Sequence, residues 1–306
     1  MKKDLIAISD LTTKDVEDIL LRSAALKEIQ KKGDTHQPLR NKSLGMIFEK
    51  SSTRTRVSFE VGMFQLGGQA LFLSSDTLQL GRGEPVADTA RTLSRYLDAI
   101  MIRTFAQSMV EELARFASIP VINGLTDLHH PCQALADLFT IQEKKGKLRG
   151  LKLAYVGDGN NVANSLIEAC VKTGMNISLA CPAGYEPIDA IMAASRAEAV
   201  HTRSSLEITP DPYQAVRDAD IVYTDVWTSM GQEKEQARRL KAFKGFEVNA
   251  PLMRAANPTA IVMHCLPAHR SEEISAEVID GPQSVIFDQA ENRLHTQKAI
   301  LEILLS

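Results

Sequence analysis

Hydroxyl and guanidinium side chains crowd one junction between an apolar run and an amphipathic one. The residues "SSTRTR", 51–56, follow the apolar "SLGMIF" and precede "VSFEVGMFQLGG". A helix N-terminus offers N–H groups and a positive dipole end to anions, and an arginine can clamp two phosphate oxygens. Because that dipole end repels cations, Arg54 and Arg56 favour a phosphate site over the alternative, a capped helix with a solvated charged turn.

A second polar group stands in "HHPCQALAD", residues 129–137. Proline suits the first turn of a helix, so Pro131 places His130 and Gln133 near a predicted helix start. An imidazole and a carboxamide at that position can hydrogen-bond a carbonyl oxygen and an amide N–H₂. The motif alone is equally consistent with a histidine that only caps the helix.

Two further groups follow apolar strands in the second half of the chain. Asp225, in "TDVWTSMGQEKE", is suited to a cationic amine, and the glycine in "SMG" gives that loop freedom to close over a ligand. Cys265, in "VMHCLPAHR", ends another apolar strand. The competing interpretations are a turn with a helix cap at Asp225 and a buried core thiol at Cys265. Arg103 ends the apolar run "AIMIRT", and Arg293 stands just before the last predicted helix.

Alternating strands and helices must position these groups. The first predicted strands are "SLGMIF", "GQALFLS", "AIMIRT" and "IPVING", and the helix after the first of them is predicted to begin at about Thr55. A second alternation has predicted strands in "LKLAYVG", "NISLAC", "AVHTR" (199–203), "DIVYTDV" and "AIVMHCL". The pattern predicts an α/β fold with two doubly wound parallel-sheet domains, 1–145 and 146–306, and ligands beyond the carboxyl ends of the strands.

The composition limits the partners that we expect. The chain has 306 residues, 44% of them hydrophobic, and a net charge of -3, which is typical of a soluble globular protein and supplies no general attraction for nucleic acid or membranes. It has no run of 18 apolar residues and no signal or transit peptide pattern, so a cytoplasmic protein is expected. The four isolated cysteines predict reduced thiols, and no metal-ligand spacing predicts a metal.

The stretch "YVGDGNNVANS" resembles a dinucleotide-binding fingerprint only in part. Val162 stands where the third glycine belongs, and no acidic residue that could bind a ribose ends the next strand. An NAD-dependent dehydrogenase is therefore an outside alternative. We expect no cofactor.

In this order and spacing, "STRTR", "HPCQ", "DVWTSMG" and "HCLP" resemble the motifs of the transcarbamylase family, and the resemblance covers essentially the whole chain. It implies transfer of the carbamoyl group from carbamoyl phosphate to an amine, here the δ-amine of ornithine, giving citrulline and phosphate in arginine metabolism. It also implies an active site in the cleft between the two domains. A C-terminal helix, from about residue 294, is expected to pack back on the first domain.

The resemblance also implies roles for individual residues. Arg103 and His130 would polarise the carbonyl, as oxyanion stabilisers do, and Cys265 would lie beside the attacking amine, so these three are the predicted catalytic residues. The predicted carbamoyl phosphate-binding residues are Ser52, Thr53, Arg54, Thr55, Gln79, Arg103, His130, Pro131, Cys132, Gln133 and Arg293. The predicted ornithine-binding residues are Asn161, Asp225, Ser229, Met230, Cys265 and Leu266.

The family's assembly and its range of acceptors set further expectations. The resemblance implies a homotrimer, or a multiple of trimers, in which the loop that carries Gln79 reaches the neighbouring subunit's site. Putrescine, N-acetylornithine and aspartate are alternative acceptors, although an aspartate enzyme normally has "HPLP" where this chain has "HCLP". A non-catalytic homologue is expected to have lost a motif, and none is lost. Biosynthetic and catabolic roles both fit the sequence.

Overall fold

Short apolar strands alternate with helices in each half of the chain. The computed structural model describes residues 3–79, 83–228, 231 and 233–306. Contacts divide the chain into unit 1, Met1–Phe139 with Glu291–Ser306, and unit 2, Thr140–Ala290. No helix in the described ranges combines the length and the hydropathy that crossing a membrane requires.

Unit 1 is built on a parallel sheet with the strand order β2-β1-β3-β4. Its elements are α1 (Thr13–Lys32), β1 (Ser43–Phe48), α2 (Thr53–Gln65), β2 (Gln69–Ser74), α3 (Val86–Leu93), β3 (Ala99–Arg103), α4 (Gln107–Phe116), β4 (Val121–Leu125), the first part of α5 (Pro131–Lys145) and most of α12 (Ile286–Leu305). The interior strands β1 and β3 are buried almost throughout, whereas the edge strand β2 is largely exposed. This explains why β1 and β3 read as continuous apolar runs.

The helix after β1 begins earlier than predicted. It starts at Thr53 rather than Thr55, because the Ser52 hydroxyl accepts a hydrogen bond from the Thr55 N–H and so caps the first turn. The arginines of "STRTR" therefore lie within the first turn of α2. At α1 the N-cap is Thr12, whose hydroxyl accepts from the N–H three residues on.

Unit 2 is built on a second parallel sheet, with the order β7-β6-β5-β8-β9. Its elements are the end of α5, β5 (Lys152–Val156), α6 (Asn161–Thr173), β6 (Asn176–Ala180), α7 (Asp189–Thr202), β7 (Leu206–Thr209), α8 (Pro212–Val216), β8 (Ile221–Thr224), α9 (Gln236–Ala242), α10 (Ala250–Met253), β9 (Ile261–His264), α11 (Ala276–Ile279) and the start of α12. Apolar side chains from β5, β8, β9 and the helices around them form its core, with Trp227 stacked on Phe243 at 5.4 Å between ring centroids.

The predicted strand at 199–203 is wrong. These residues form the last turn of α7, and the strand is β7, Leu206–Thr209. The alanine-rich sequence before them favours a helix that continues through Val200, which is 77% exposed and gains nothing from a sheet. The helix ends where Arg203 adopts a left-handed conformation, with φ at 60°.

The prediction of two parallel, doubly wound sheets is confirmed, and each sheet has a point where the strand order reverses. In unit 1 this point lies between β1 and β3, and in unit 2 it lies between β5 and β8. Connections leave such strands in opposite directions, which opens a crevice at their carboxyl ends. The "STRTR" motif follows β1 and Asp225 follows β8, whereas the "HPCQ" motif follows β4 and Cys265 follows β9.

Candidate active site

The predicted phosphate ligands of unit 1 follow β1 and β3. These strands are adjacent, in register and parallel, and Arg103 ends β3. Ser52 caps α2, because its hydroxyl accepts a hydrogen bond from the Thr55 N–H at 3.2 Å. Arg54 is half-buried, Thr55 and Arg103 are buried, and Thr53 is exposed. A helix N-terminus and two arginines therefore stand at one edge of the sheet, as an anion site requires.

His130 is buried immediately before the first residue of α5. Its burial, followed by the positive charges of Arg293, Arg103 and Arg54, holds the pKa of His130 well below its ordinary value of 6.5. His130 is therefore neutral at physiological pH, with one ring nitrogen protonated. It can donate a hydrogen bond to a carbonyl oxygen without adding to the positive charge around it.

Arg293, on α12, connects α5 to α2 within unit 1. Its guanidinium donates to Gln133 Oε1 at 2.6 Å and to Thr55 Oγ1 at 3.2 Å. Gln133 in turn donates through Nε2 to the buried Asp137 carboxylate at 2.8 Å. These contacts fix the Gln133 amide with its oxygen toward the arginine. An amide oxygen has two lone pairs, so one remains for the predicted carbamoyl N–H₂.

Two predicted ligands in the first turn of α5 face the interior. Pro131 and Cys132 are buried, and the Cys132 thiol donates to the Asn123 carbonyl of β4 at 3.4 Å. Burial raises the pKa of the Cys132 thiol to about 12. A contact between Cys132 and carbamoyl phosphate would therefore come from its backbone.

Gln79 lies on the connection between β2 and α3. Its side chain is exposed, and its carbonyl accepts from the Glu84 N–H at 3.1 Å. Residues 80–82 lie outside the described residues. Gln79 thus stands on an accessible loop of unit 1.

In unit 2, the carboxyl ends of β8 and β9 bring Asp225 and Cys265 together. The two strands are parallel neighbours, so the residues that follow them are also neighbours. The Cys265 thiol donates to Asp225 Oδ1 at 2.9 Å, and the Val226 N–H donates to the same oxygen at 2.8 Å. Asp225 is buried and Cys265 is partly exposed. A carboxylate held in this way is suited to a charge-assisted hydrogen bond with an amine.

The other predicted ornithine ligands differ in burial, and two of them are not described by the structure. Asn161 is half-buried and is the first residue of α6, directly after Asn160, which donates to Asp225 Oδ2 at 2.8 Å. Ser229 and Met230 lie outside the described residues. Leu266 is partly exposed and has a left-handed backbone, with φ at 59°, before a cis bond to Pro267.

A buried histidine supports the backbone at Leu266. The Leu266 N–H donates to His264 Nδ1 at 2.9 Å, so the other ring nitrogen, Nε2, carries the proton. That nitrogen lies 3.1 Å from Glu273 Oε1, and both side chains are fully buried. The pair orients the turn that directly follows Cys265.

Both units match one family of known proteins. Residues 3–143 match the carbamoyl-P binding domain of aspartate/ornithine carbamoyltransferase, and residues 149–304 match its Asp/Orn binding domain. The chain belongs to the aspartate/ornithine carbamoyltransferase family. Curated relatives include the ornithine carbamoyltransferase of Syntrophus aciditrophicus, 59% identical over 305 residues and 100% of both chains. That of Bacillus subtilis is 58% identical, over 99% of this chain and 94% of the relative.

Solved structures of the family are also similar to this chain. The ornithine carbamoyltransferase from Pyrococcus furiosus superposes with a TM-score of 0.96 at 53% identity, covering 99% of this chain and 96% of that chain. The enzyme from Campylobacter jejuni, described as anabolic, gives a TM-score of 0.93 at 40% identity, over 99% of both chains. The two-domain fold of the family is therefore the fold of this chain.

One glycine of the dinucleotide-like stretch, Gly159, has a packing role. A Cβ on Gly159 would lie 2.2 Å from the Pro187 nitrogen, and the Gly159 N–H donates to the Tyr185 carbonyl at 2.8 Å. The loop before α6 can approach this backbone only without a side chain at position 159. The packing at Gly159 therefore explains this glycine without a bound dinucleotide.

Some side chains of unit 2 are of types that bind metals. Potential ligand atoms of Asp225, His264 and Cys265 lie within 4.8 Å of one another. Both nitrogens of His264 already have hydrogen-bond partners, namely the Leu266 N–H and Glu273. A metal would have to displace one of them, and the expected absence of a metal cofactor stays a prediction.

Sequence reasoning missed several residues that support the predicted site residues. Lys50, directly before "SSTRTR", is buried, pairs with Asp127 and lies 4.2 Å from the centroid of the Phe105 ring. The other missed residues are Asp137, Asp158, Asn160, Arg239, His264 and Glu273. Asn160 and Asp158 stand in "GDGNN", so a local signal exists for both, although it resembles only a weak dinucleotide motif. Glu273 and Arg239 carry no local motif.

Arg239 contacts both the loop after β5 and Trp227, which precedes the undescribed residues 229–230. It is buried in α9, and its guanidinium donates to Asp158 Oδ2 at 2.8 Å and to the Trp227 carbonyl at 2.9 Å. Burial raises the pKa of Asp158 to about 6, although the positive charge of Arg239 opposes this. The ion pair ties the residues that follow Asp225 to the loop after β5.

Proposed function

We propose that this chain transfers the carbamoyl group of carbamoyl phosphate to the δ-amine of ornithine, giving citrulline and phosphate. The proposal rests on the buried Asp225 carboxylate beside the Cys265 thiol, in the unit that matches the Asp/Orn binding domain. A carboxylate suits the amine of ornithine and repels the second carboxylate of aspartate. The curated relatives at 58–59% identity are named ornithine carbamoyltransferase, which supports the same acceptor.

Unit 1 supplies the proposed carbamoyl phosphate site. We propose that Ser52, Thr53, Arg54 and Thr55 bind the phosphate through hydroxyls, N–H groups and a guanidinium at the start of α2. Further proposed ligands in this unit are Gln79, Arg103, His130, Pro131, Cys132, Gln133 and Arg293. Residues 1–145 would then form the carbamoyl phosphate domain.

Charge develops on the carbonyl oxygen when the amine attacks. Arg103 and neutral His130 are the donors that we assign to that oxygen, because fixed donors stabilise an oxyanion without reorganising. Gln133 would accept from the carbamoyl N–H₂ through its remaining lone pair. Arg293, which holds Gln133 and Thr55 together, would complete the positive charge around the phosphate.

Residues 146–306, apart from the part of α12 that belongs to unit 1, would bind the acceptor. Asn161, Asp225, Ser229 and Met230 are the proposed ligands of ornithine, and Cys265 with the Leu266 carbonyl would lie beside the δ-amine. That amine must lose a proton before it attacks, and partial desolvation in the site favours the neutral form. The new N–C bond forms, the C–O bond to phosphate breaks, and the amine's second proton leaves. The reaction balances without a redox partner.

The test is a citrulline-formation assay with ornithine, putrescine, N-acetylornithine and aspartate offered side by side, using carbamoyl phosphate as donor. We expect the carbamoylated product from ornithine and far less from the other three. A preference for aspartate or N-acetylornithine would contradict the proposal. The variant Asp225→Asn, assayed in parallel, serves as the control that the activity belongs to this site.

We also propose that the chain assembles as a homotrimer, or as a multiple of trimers. Apolar side chains on α2 and on the edge strand β2 support this assembly, since Val57, Val61, Phe64, Leu71 and Phe72 are 36–77% exposed. An apolar patch on one helix and one sheet edge is typical of a subunit interface. Light scattering of the purified chain is expected to give the mass of three copies or a multiple of it.

Gln79 would then act in the neighbouring subunit's site. If Gln79→Ala and Arg54→Ala are each inactive, mixed trimers contain sites with Arg54 from one chain and Gln79 from the next. About a quarter of the sites should recover when the two chains are mixed equally. Mixed trimers that stay as inactive as their parents would place Gln79 outside the shared site.

We propose a cytoplasmic role in arginine metabolism for the enzyme. The absence of a membrane-crossing helix from the described residues is compatible with it. Expression in an arginine-requiring strain that lacks its own citrulline-forming enzyme should restore growth without arginine. Growth that requires citrulline despite active enzyme would favour a catabolic role.

A further inference from the structure

Asn160 makes three kinds of contact with the same side chain. Its Oδ1 accepts from the Val162 and Ala163 N–H groups at 2.9 and 3.1 Å, which makes it the N-cap of α6, and from the Tyr155 hydroxyl at 3.4 Å. Its Nδ2 donates to Asp225 Oδ2 at 2.8 Å. The cap therefore decides which end of the amide faces the carboxylate. A flipped amide would put its N–H₂ against two N–H donors and its oxygen against a carboxylate.

The Asp225 carboxylate is held at both oxygens. Oδ1 accepts from the Cys265 thiol and from the Val226 N–H, and Oδ2 accepts from Asn160. Three donors on two oxygens fix the plane of the carboxylate. Each oxygen can accept about two hydrogen bonds. The contact from Asn160 thus leaves Oδ2 one free direction for a ligand's ammonium group.

We propose that Asn160 is a positioning residue for the acceptor amine, because the N-cap of α6 sets the direction in which Asp225 offers its free lone pair. This inference rests on the proposed function, in which Asp225 binds ornithine. It adds a residue to the proposed ornithine ligands and gives it a different task from its neighbour Asn161. Asn160 acts through Asp225 and not by touching the substrate.

The chain contains a matched control for this arrangement. Asn249 is the N-cap of α10, and its Oδ1 accepts from the Leu252 N–H at 3.1 Å. Its Nδ2 donates to the Glu247 carboxylate at 3.3 Å. The same side chain thus caps a helix and meets a carboxylate at a place with no proposed ligand. Any effect of capping alone should appear at both positions.

The first test compares Asn160→Asp and Asn160→Ser with Asn249→Asp and Asn249→Ser. Asp and Ser both cap helices well, so the fold is retained. At position 160, Ser removes the donor to Asp225, and Asp adds a like charge beside it. We expect the KM for ornithine to rise about tenfold for Asn160→Ser, and more for Asn160→Asp, since hydrogen bonds to charged groups are strong. The KM for carbamoyl phosphate and the Tm should change no more than in the Asn249 variants.

The second test is the exchange Asn160→Asp with Asp225→Asn in one chain. It restores one carboxylate facing one amide, so we expect the Tm to return toward the wild-type value. The carboxylate then stands in the wrong place, so the KM for ornithine should stay high. If the Tm and the KM for ornithine both returned to their wild-type values, the contact between residues 160 and 225 would only stabilise the fold. That result would overturn the proposal.

The outcomes separate this inference from the proposed function. If the wild type forms no citrulline from ornithine, the proposed function fails. If the wild type is active and Asn160→Ser has an unchanged KM for ornithine, the positioning role is wrong. Equal changes of KM in the Asn160 and Asn249 variants would likewise reduce Asn160 to a helix cap.

Discussion

In unit 1, Arg54, Arg103 and Arg293 surround a neutral histidine, whereas the strand ends of unit 2 surround one carboxylate with neutral donors. The cations of unit 1 come from three separate elements, α2, β3 and α12. Several cations together can bind a dianion in more than one orientation. The number of cations therefore matters more than the direction in which each one points. A single carboxylate must be aimed, and its plane is fixed by its neighbours.

The two regions also differ in how they hold their side chains. Arg293 and Gln133 in unit 1 bind one another, so each is positioned by another proposed ligand. In unit 2, Asp225 is positioned by Asn160, and the turn after Cys265 is positioned by His264 and Glu273. Substitutions should therefore abolish binding in unit 1 and misdirect it in unit 2.

The largest effect is expected for Arg54→Ala. Losing two charge-assisted hydrogen bonds to phosphate should reduce kcat/KM on the order of a thousandfold, with the fold intact. Arg115→Ala removes an exposed arginine from α4 of the same unit and should have little effect. Calorimetry with carbamoyl phosphate decides the matter. Unchanged affinity in Arg54→Ala would mean that the junction after β1 is only a capped helix.

A smaller, more selective effect is expected for Asp225→Asn. The amide keeps the shape of the side chain but loses the charge, so the KM for ornithine should rise on the order of a hundredfold. Carbamoyl phosphate affinity should not change. Asp211→Asn is the control, because Asp211 only caps α8 through the Tyr213 N–H and asparagine caps equally well. Equal losses of affinity for both substrates would contradict the proposal that unit 1 binds carbamoyl phosphate and unit 2 binds ornithine.

The same contrast explains what the sequence could predict. Residues that lie within a motif, such as Arg54 and Asp225, are visible because their types are unusual at a strand end. Asn160 orients Asp225 across a distance of 65 positions, and only the adjacency of β5 and β8 creates that contact. The contact of Glu273 with the buried His264 likewise arises from the fold, and no local sequence pattern indicates it.

The fold was predictable where periodicity was clear. Buried strands such as β1 and β3 are continuous apolar runs, which the sequence displays directly. The strand predicted at the end of α7 was wrong because "AVHTR" has strand-like residues but continues a helix that begins at Asp189. Where that helix stops depends on the left-handed backbone of Arg203, which no residue preference indicates.

A third, still smaller effect on ornithine binding is expected for Cys265→Ser. A hydroxyl can still donate to Asp225 but has a shorter bond to its carbon and a different hydrogen-bond length, so we expect the KM for ornithine to rise about tenfold with a small change in Tm. Cys181→Ser is the control, because that thiol is buried in unit 2 and a hydroxyl there costs stability. It should lower the Tm without raising the KM. If Cys265→Ser shows this second pattern instead, Cys265 is a core thiol.

The smallest effect concerns His129, the neighbour of His130 in unit 1. Burial lowers the pKa of His129 to about 4, against an ordinary value of 6.5. The unfolded chain therefore binds more protons than the folded chain below pH 6.5, so this contribution to stability is complete above that pH and is lost as the pH falls toward 4. Between pH 7 and 6 the loss should be roughly 0.7 kcal/mol for this one side chain.

Hydrogen exchange of the β3 amides measures this loss within unit 1. After correction for the intrinsic pH dependence of exchange, the opening free energy of β3 should fall less steeply in His129→Gln than in the wild type, by roughly 0.7 kcal/mol from pH 7 to 6. From pH 8 to 7 the two chains should behave alike, because the unfolded histidine is then almost fully neutral. Parallel slopes below pH 7 would show that His129 gains its proton in the folded state too. The site of unit 1 would then tolerate more positive charge than the arrangement around His130 indicates.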